Sequence, residues 1–418
     1  MKPLRDVGPA NDAETWANAP ARTSGSGSTG MRTGSVSGGM QMMTSGRGVL
    51  AFFGAAVLIA LLLVPNESAA DTERRIEELE FPELGDIDVP EPRREELSNG
   101  LVVFLLEDHE FPIVDLNADF RTGAIYEPKE KAGLAWLTGE VMRSGGSAAY
   151  PGDELDLQLE SIGARIETRI GETSGSASLS TLTEDLDLGL KMFTDVLQRP
   201  AFPDEKIDLA KVEMRTSISS RNDQAGSILR REFDKIVYGE DSPYGWHTEY
   251  ATVEAISRED VVAFHDTYVR PDRMILTVYG DFDTEEILKS LEELLGSWPR
   301  AAAPLPPAPA MPAPKPPRVH YAHKEGTTAS SIALGHLGFR ADDPDYSTMN
   351  VLNRILGAGF SSRLFREIRS RMGLAYSVRS SAGVGYHHPG VFAARVETRI
   401  DSTVKTTRAI LDQLQKIR

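Results

Sequence analysis

The sequence predicts an α+β protein made of two copies of one architecture, each a mostly antiparallel sheet with helices on one face. Three observations predict it. Between residues 93 and 299, alternating strand hairpins take turns with amphipathic helices. Residues 301–317 are rich in Ala and Pro, a composition that packs no core and reads as a stiff linker within 300–318. After it, over residues 319–418, the order strand, helix, helix, strand pair, helix begins again. The 418-residue chain is long enough for two or three domains. The second copy reaches Arg418 after about 100 residues, half the extent of the first. A truncated second domain is therefore expected, because half a sheet leaves an unpaired edge.

The elements follow in order. Residues 1–48 are Gly-, Ser-, Thr- and Met-rich without an apolar period, and read as a disordered or over-extended N-terminus. Residues 49–64 form an apolar run too short for a spanning helix, followed by Ser68-Ala69-Ala70. This reads as a signal peptide over 49–70, with an uncleaved membrane anchor as the alternative and Met43 or Met40 as the natural start. Periplasmic or secreted placement follows. Residues 71–92 are an acidic leader. Asn99-Gly100 is a hairpin turn ahead of a buried strand at 101–106. Residues 113–120 alternate apolar and polar and form a strand with one wet face. Helices are predicted at 133–142, 153–162 and 185–197, with strands at 165–170 and 174–182. One long helix is expected over 205–236. A helix at 258–267 has Ser257 as its N-cap, and a strand at 273–282 precedes a helix at 284–295. In the second copy, strands are predicted at 331–339, 376–382 and 391–398. Helices are predicted at 346–356, 361–371 and 403–417.

Composition excludes several classes. A net charge of −17 argues against general nucleic-acid binding. The absence of cysteine removes disulfides, thiol catalysis and Cys-ligated metals. No nucleophile elbow, P-loop or dinucleotide fingerprint occurs. None of the eight histidines stands in a helical zinc spacing, and each reads as a surface or turn residue. The most distinctive stretch is residues 360–378, where a basic helix breaks at Gly373 before a strand. Leu364, Phe365 and Ile368 give that helix one apolar, buried face. Arg369 and Tyr376, seven apart, can point a cation and a phenol into one space. On chemistry alone, a solvated basic helix before a core strand is the simpler reading.

Two stretches resemble the insulinase/pitrilysin family of zinc metallopeptidases: Gly133-Leu134-Ala135 with its surroundings, and Ser361-Ser-Arg-Leu-Phe-Arg-Glu-Ile-Arg369 with Gly373-Leu-Ala-Tyr-Ser-Val378. The resemblance implies metallopeptidase-like clamshell halves. Active members continue Gly-Leu-Ala with His-x-x-Glu-His, the two His binding zinc and the Glu activating water. Here Trp136 stands at the first His, Gly139 at the Glu and Glu140 at the second His. Glu213 is the counterpart of the third ligand, ahead of Glu205. The resemblance thus implies a degenerate zinc motif, and no metal cofactor is expected on this chain. It also implies that Arg369 and Tyr376 are the pair that holds substrate and stabilises the oxyanion. Some bacterial members are split into a zinc-bearing and an Arg/Tyr-bearing subunit. The leading expectation is the second type, working on peptide substrates as a heterodimer with a zinc-bearing paralogue. The alternatives are a non-catalytic periplasmic peptide-binding or scaffolding protein, and an independent peptidase with unfamiliar ligands.

Overall fold

The computed structural model describes residues 5–7, 89–311 and 316–417. The predicted N-terminal extension, the signal peptide and all but the end of the leader lie outside the described residues. Among the described residues no helix is long and apolar enough to cross a membrane.

The fold is α+β. The first sheet has six strands: β1 (Arg93–Glu96), β2 (Val102–Glu107), β3 (Ile113–Phe120), β4 (Arg165–Ile170), β5 (Gly175–Leu182) and β6 (Met274–Gly280). Their order is β1-β2-β6-β3-β5-β4, antiparallel except for β2 beside β6. The β1–β2 hairpin turns at Asn99-Gly100, where Gly100 takes φ +85° and the Asn99 side chain donates to the Leu295 carbonyl at 2.7 Å. Strand β3 shows why one face is dry. Val114, Leu116, Ala118 and Phe120 are buried, while Asp115, Asn117 and Asp119 turn to the uncovered face. Against the dry face pack α1 (Leu134–Ser144), α2 (Gly152–Ser161), α3 (Leu186–Gln198) and α4 (Asp204–Ser220). After α5 (Ala225–Tyr238) come α6 (Tyr250–Ala255), α7 (Arg258–Tyr268) and α8 (Thr284–Leu295). Ser257 caps α7 as expected, accepting from the Asp260 N–H.

The second sheet holds β7 (Ala329–Leu337), β8 (Ala375–Ala382) and β9 (Val391–Arg399) in the order β8-β9-β7, all antiparallel. Its core joins Val378, Ala394 and Val396 to Leu356 of α9 (Tyr346–Leu356), to Leu364 and Ile368, and to Ile410 of α10 (Thr403–Lys416).

Three expectations are corrected. The predicted 205–236 helix is two helices, α4 and α5, parted at residues 221–224. Asn222 and Asp223 are poor helix formers. The break is held from outside: Arg231 donates to the Asn222 side chain at 2.9 Å and Lys324 to its carbonyl at 2.8 Å. The Pro-rich stretch is not free of packing. Ala308 and Met311 lie against Ile125, Tyr238 and Tyr244, and the Tyr244 hydroxyl donates to the Pro309 carbonyl at 3.1 Å. One histidine is a core residue rather than a surface or turn residue, and another stands in a turn as expected but is buried. His265 falls on the apolar face of α7, one turn past Val261, and bonds the Leu197 carbonyl at 2.9 Å. His388 stands in a turn, yet its ring is closed in by Tyr238 and Tyr244.

Candidate functional site

The helix carrying Arg369 is wound as a π-helix over Phe365–Arg371, a geometry that often marks functional sites. It ends where Gly373 takes φ +60°, a left-handed position that glycine adopts without a Cβ penalty, and the Leu374 N–H returns to the Ile368 carbonyl at 3.0 Å. Ahead of the helix, Gly357 lies so close to β8 that a Cβ would sit 2.4 Å from the Ser380 nitrogen. Ser380 seals that contact, its N–H on the Gly357 carbonyl at 3.1 Å and its hydroxyl on Asn353 at 2.6 Å. The end of α9, which leads into the Arg369 helix, is thereby locked to β8.

Strand β8 opens with a register shift between Ala375 and Ser377 opposite β9. The irregularity ejects Tyr376 from the pleat and leaves it 84% exposed. The Arg369 guanidinium lies 4.9 Å from the Tyr376 ring centre and 4.5 Å from that of Phe365. Phe360, 79% exposed, meets Phe365 edge-on at 5.1 Å. Phe365 is thus only half-buried, a correction to the buried apolar face expected of it; Leu364 and Ile368 do form that face. The neighbouring arginines are occupied differently. Arg371 pairs with Glu367, and Arg363 donates to Gln413 at 3.3 Å. Arg369 is held by ring faces, and among the described residues no carboxylate pairs with it. Cation–π contacts at such sites are worth about 0.5–1 kcal/mol each, enough to bias a rotamer without consuming the donors.

The residues of the degenerate motif lie on α1. Glu127, which sequence reasoning missed, fixes where this helix begins. Its buried carboxylate accepts from the N–H groups of Gly133 and Ala135, both at 2.8 Å. Burial raises its pKa to about 7, against the pull of these helix N–H groups. No local capping pattern signals it, since it reaches in from six residues upstream of Gly133. Trp136 is exposed. Gly139 is buried against β4, where a Cβ would sit 2.4 Å from the Ile170 nitrogen. The Thr168 hydroxyl donates to the Gly139 carbonyl at 2.6 Å. Glu140 is partly buried, and burial first, then the charges of Glu213 and Glu167, raises its carboxyl above the usual range. Glu140 and Glu213 are therefore neighbours, while Trp136 and Gly139 bring no ligand or base.

These residues do not fit a zinc ion. An indole and a glycine stand where imidazole and carboxylate are needed, and the remaining donors are carboxylates. Among the described residues no group of three or more His, Cys, Asp and Glu is placed to hold a metal.

Comparisons with known proteins bear on both halves. The insulinase (peptidase family M16) model matches residues 102–243, and the peptidase M16 inactive domain model matches residues 255–418. An uncharacterized zinc protease of Rickettsia felis is 25% identical over 332 residues, covering 77% of this chain and 77% of that protein. The non-peptidase homolog YmxG of Helicobacter pylori is 22% identical over 319 residues, covering 74% and 72%. Among solved structures, a peptidase M16 inactive domain from Pseudomonas fluorescens superposes with a TM-score of 0.69 at 24% identity, covering 78% and 79%. A protease from Helicobacter pylori superposes with a TM-score of 0.70 at 20% identity, covering 79% and 81%.

Proposed function

The chain belongs to the insulinase family, and on that premise we propose that it is the zinc-less subunit of a two-chain peptidase, lending Arg369 and Tyr376 to a zinc-bearing partner of the same family. The observation that carries this reading is the Arg369–Tyr376 stack. A guanidinium and a phenol are pre-oriented at the surface with no hydrogen-bond partner among the described residues, in a chain whose motif helix has Trp136, Gly139 and Glu140. Side chains so placed suit a peptide carbonyl whose oxygen gains negative charge as it is attacked. The guanidinium supplies charge and N–H donors, and the phenol an O–H donor. Each such donor is worth about 3 kcal/mol in the transition state, roughly a hundredfold in rate. The apolar run at 49–64 supports action in the periplasm or outside the cell.

The test is reconstitution with a co-purifying family member that has an intact motif. The isolated chain is expected to hold no stoichiometric zinc and to cleave no peptide. Together the two chains cleave, and Tyr376→Phe lowers kcat about a hundredfold while assembly, read by sedimentation, is unchanged. Zinc-dependent hydrolysis by this chain alone overturns the proposal. A partner equally active without this chain also overturns it, in favour of a peptide-binding or scaffolding role.

A further inference from the structure

The face of the second sheet that is turned toward α5 carries, at its β8 edge, an arrangement that neither stability nor the Arg369–Tyr376 pair explains. Arg379 on the edge strand β8 stands directly opposite Arg395 on β9, so two guanidiniums share one face. Like charges directly opposed across a ladder are destabilising. The next residue across, on β7, is Ala333, which neither pairs with them nor screens them. Arg379 is exposed, and among the described residues it makes no hydrogen bond or ion pair. Arg395 spends one N–H on the Ser381 hydroxyl at 3.1 Å and rests its cation 5.7 Å from the Phe233 ring, keeping its other donors. Ser381 lies two residues along β8 from Arg379, on the same face.

A third cation, Arg230 on α5, lies within electrostatic reach of Arg395. The acids facing this group are Asp234 on α5 and, beyond it, Glu172 after β4. Burial raises both carboxyls, and the Asp234 carboxyl stands outside ion-pair distance of the arginines. The arginines therefore retain unfilled, carboxylate-shaped donor capacity.

We infer that Arg379 and Arg395 form a carboxylate-binding site, which reads either an acidic side chain or the terminal carboxylate of a peptide lying along the edge strand β8. The site is three residues from Tyr376, about 10 Å along an extended strand. If Tyr376 holds a peptide carbonyl as proposed above, the carboxylate belongs to a residue about three positions away. Only this placement rests on that reading; the binding itself does not. With a net charge of −17, the chain as a whole repels acidic peptides, so a preference for them has to be local.

The test is fluorescence anisotropy on the isolated chain at low salt, with labelled ten-residue peptides of one neutral sequence. One carries a single Glu with an amidated C-terminus, one carries Gln in its place with the amide, and one carries Gln with a free carboxylate. The Glu peptide or the free-carboxylate peptide is expected to bind about tenfold tighter than the Gln amide, and which of them responds identifies the source. Arg379→Gln removes the preference, and Arg379→Glu turns it toward a Lys peptide, both with a melting temperature no lower than the wild type's, since each relieves the opposition to Arg395. Arg395→Lys weakens it while keeping the charge. Equal affinities for all three peptides, or a preference that survives Arg379→Gln, overturns the inference. Because this is read without a partner, it fails or holds independently of the turnover measured with Tyr376→Phe.

Discussion

Arg369 and Arg371 are two residues apart in one helix, yet only one of them is chemically available. Arg371 closes on Glu367, an i,i+4 pair at the surface, whereas Arg369 meets Phe365 at the same spacing on the other side. The identity of the residue one turn back thus decides which cation keeps its donors. Replacing Phe365 with Glu should pull Arg369 into a salt bridge; the reconstituted activity should fall although Arg369 and Tyr376 are both present. Glu127 makes a second case at this scale. Its folded pKa of about 7 lies above its ordinary 4.5, so the stability it contributes is complete below pH 4.5 and is lost as pH rises through 7. The difference in unfolding free energy between the wild type and Glu127→Gln should therefore move against the wild type across that window. Its full span is about 3 kcal/mol. Urea titrations of both proteins at pH 4.5, 6 and 7.5 measure it. A difference that stays constant would show that folding does not raise the Glu127 pKa.

At the scale of elements, the loss of the zinc motif is built into how α1 packs. Glycine at 139 lets the helix approach β4 until the backbones nearly touch, and the Thr168 hydroxyl ties the Gly139 carbonyl across the gap. A glutamate there needs a wider helix–strand spacing. Trp136→His with Gly139→Glu and Glu140→His should therefore give a destabilised chain rather than a zinc enzyme. Gly139→Ala alone should cost about 1–3 kcal/mol in urea unfolding by overpacking. The sequence made much of this legible because period and punctuation are local. Strand β4, α8 and α9 fall where alternation, Gly296 and the 346–356 spacing put them. What it hid was non-local. The break at 221–224 depends on Lys324, a hundred residues away. The half-exposure of Phe365 depends on π-winding, which an i,i+3,i+4 pattern does not encode. The opposition of Arg379 and Arg395 exists only once β8 and β9 are in register.

At the scale of the whole molecule, the contact between the two sheets' layers includes an aromatic cluster, which makes it sensitive to one titrating ring. Helix α5 lies near β7, and His388 is closed in by Tyr244, 4.2 Å between ring centres, and Tyr238, 5.4 Å and perpendicular. Its Nδ1 faces the Pro389 carbonyl at 2.8 Å, and Nε2 stands 3.8 Å from Glu172. Burial lowers its pKa below the ordinary 6.5. A buried neutral histidine contributes stability that is complete above pH 6.5 and is lost as pH falls through its lower folded value. Glu172 works in the opposite direction. Its raised carboxyl contributes stability below the ordinary 4.5 that is lost as pH rises, so the wild-type profile mixes the two. Comparing the wild type with His388→Gln isolates the histidine. Between pH 7 and 5 the wild type should lose stability relative to the variant. Hydrogen exchange should rise first in the neighbouring backbone of α5 and β9, before the six-stranded core around Phe120 and Phe193. Uniform acceleration over both sheets would instead mean that the aromatic contact opens only with global unfolding. That outcome would make the two sheets a single cooperative unit rather than two layers joined at a pH-sensitive seam.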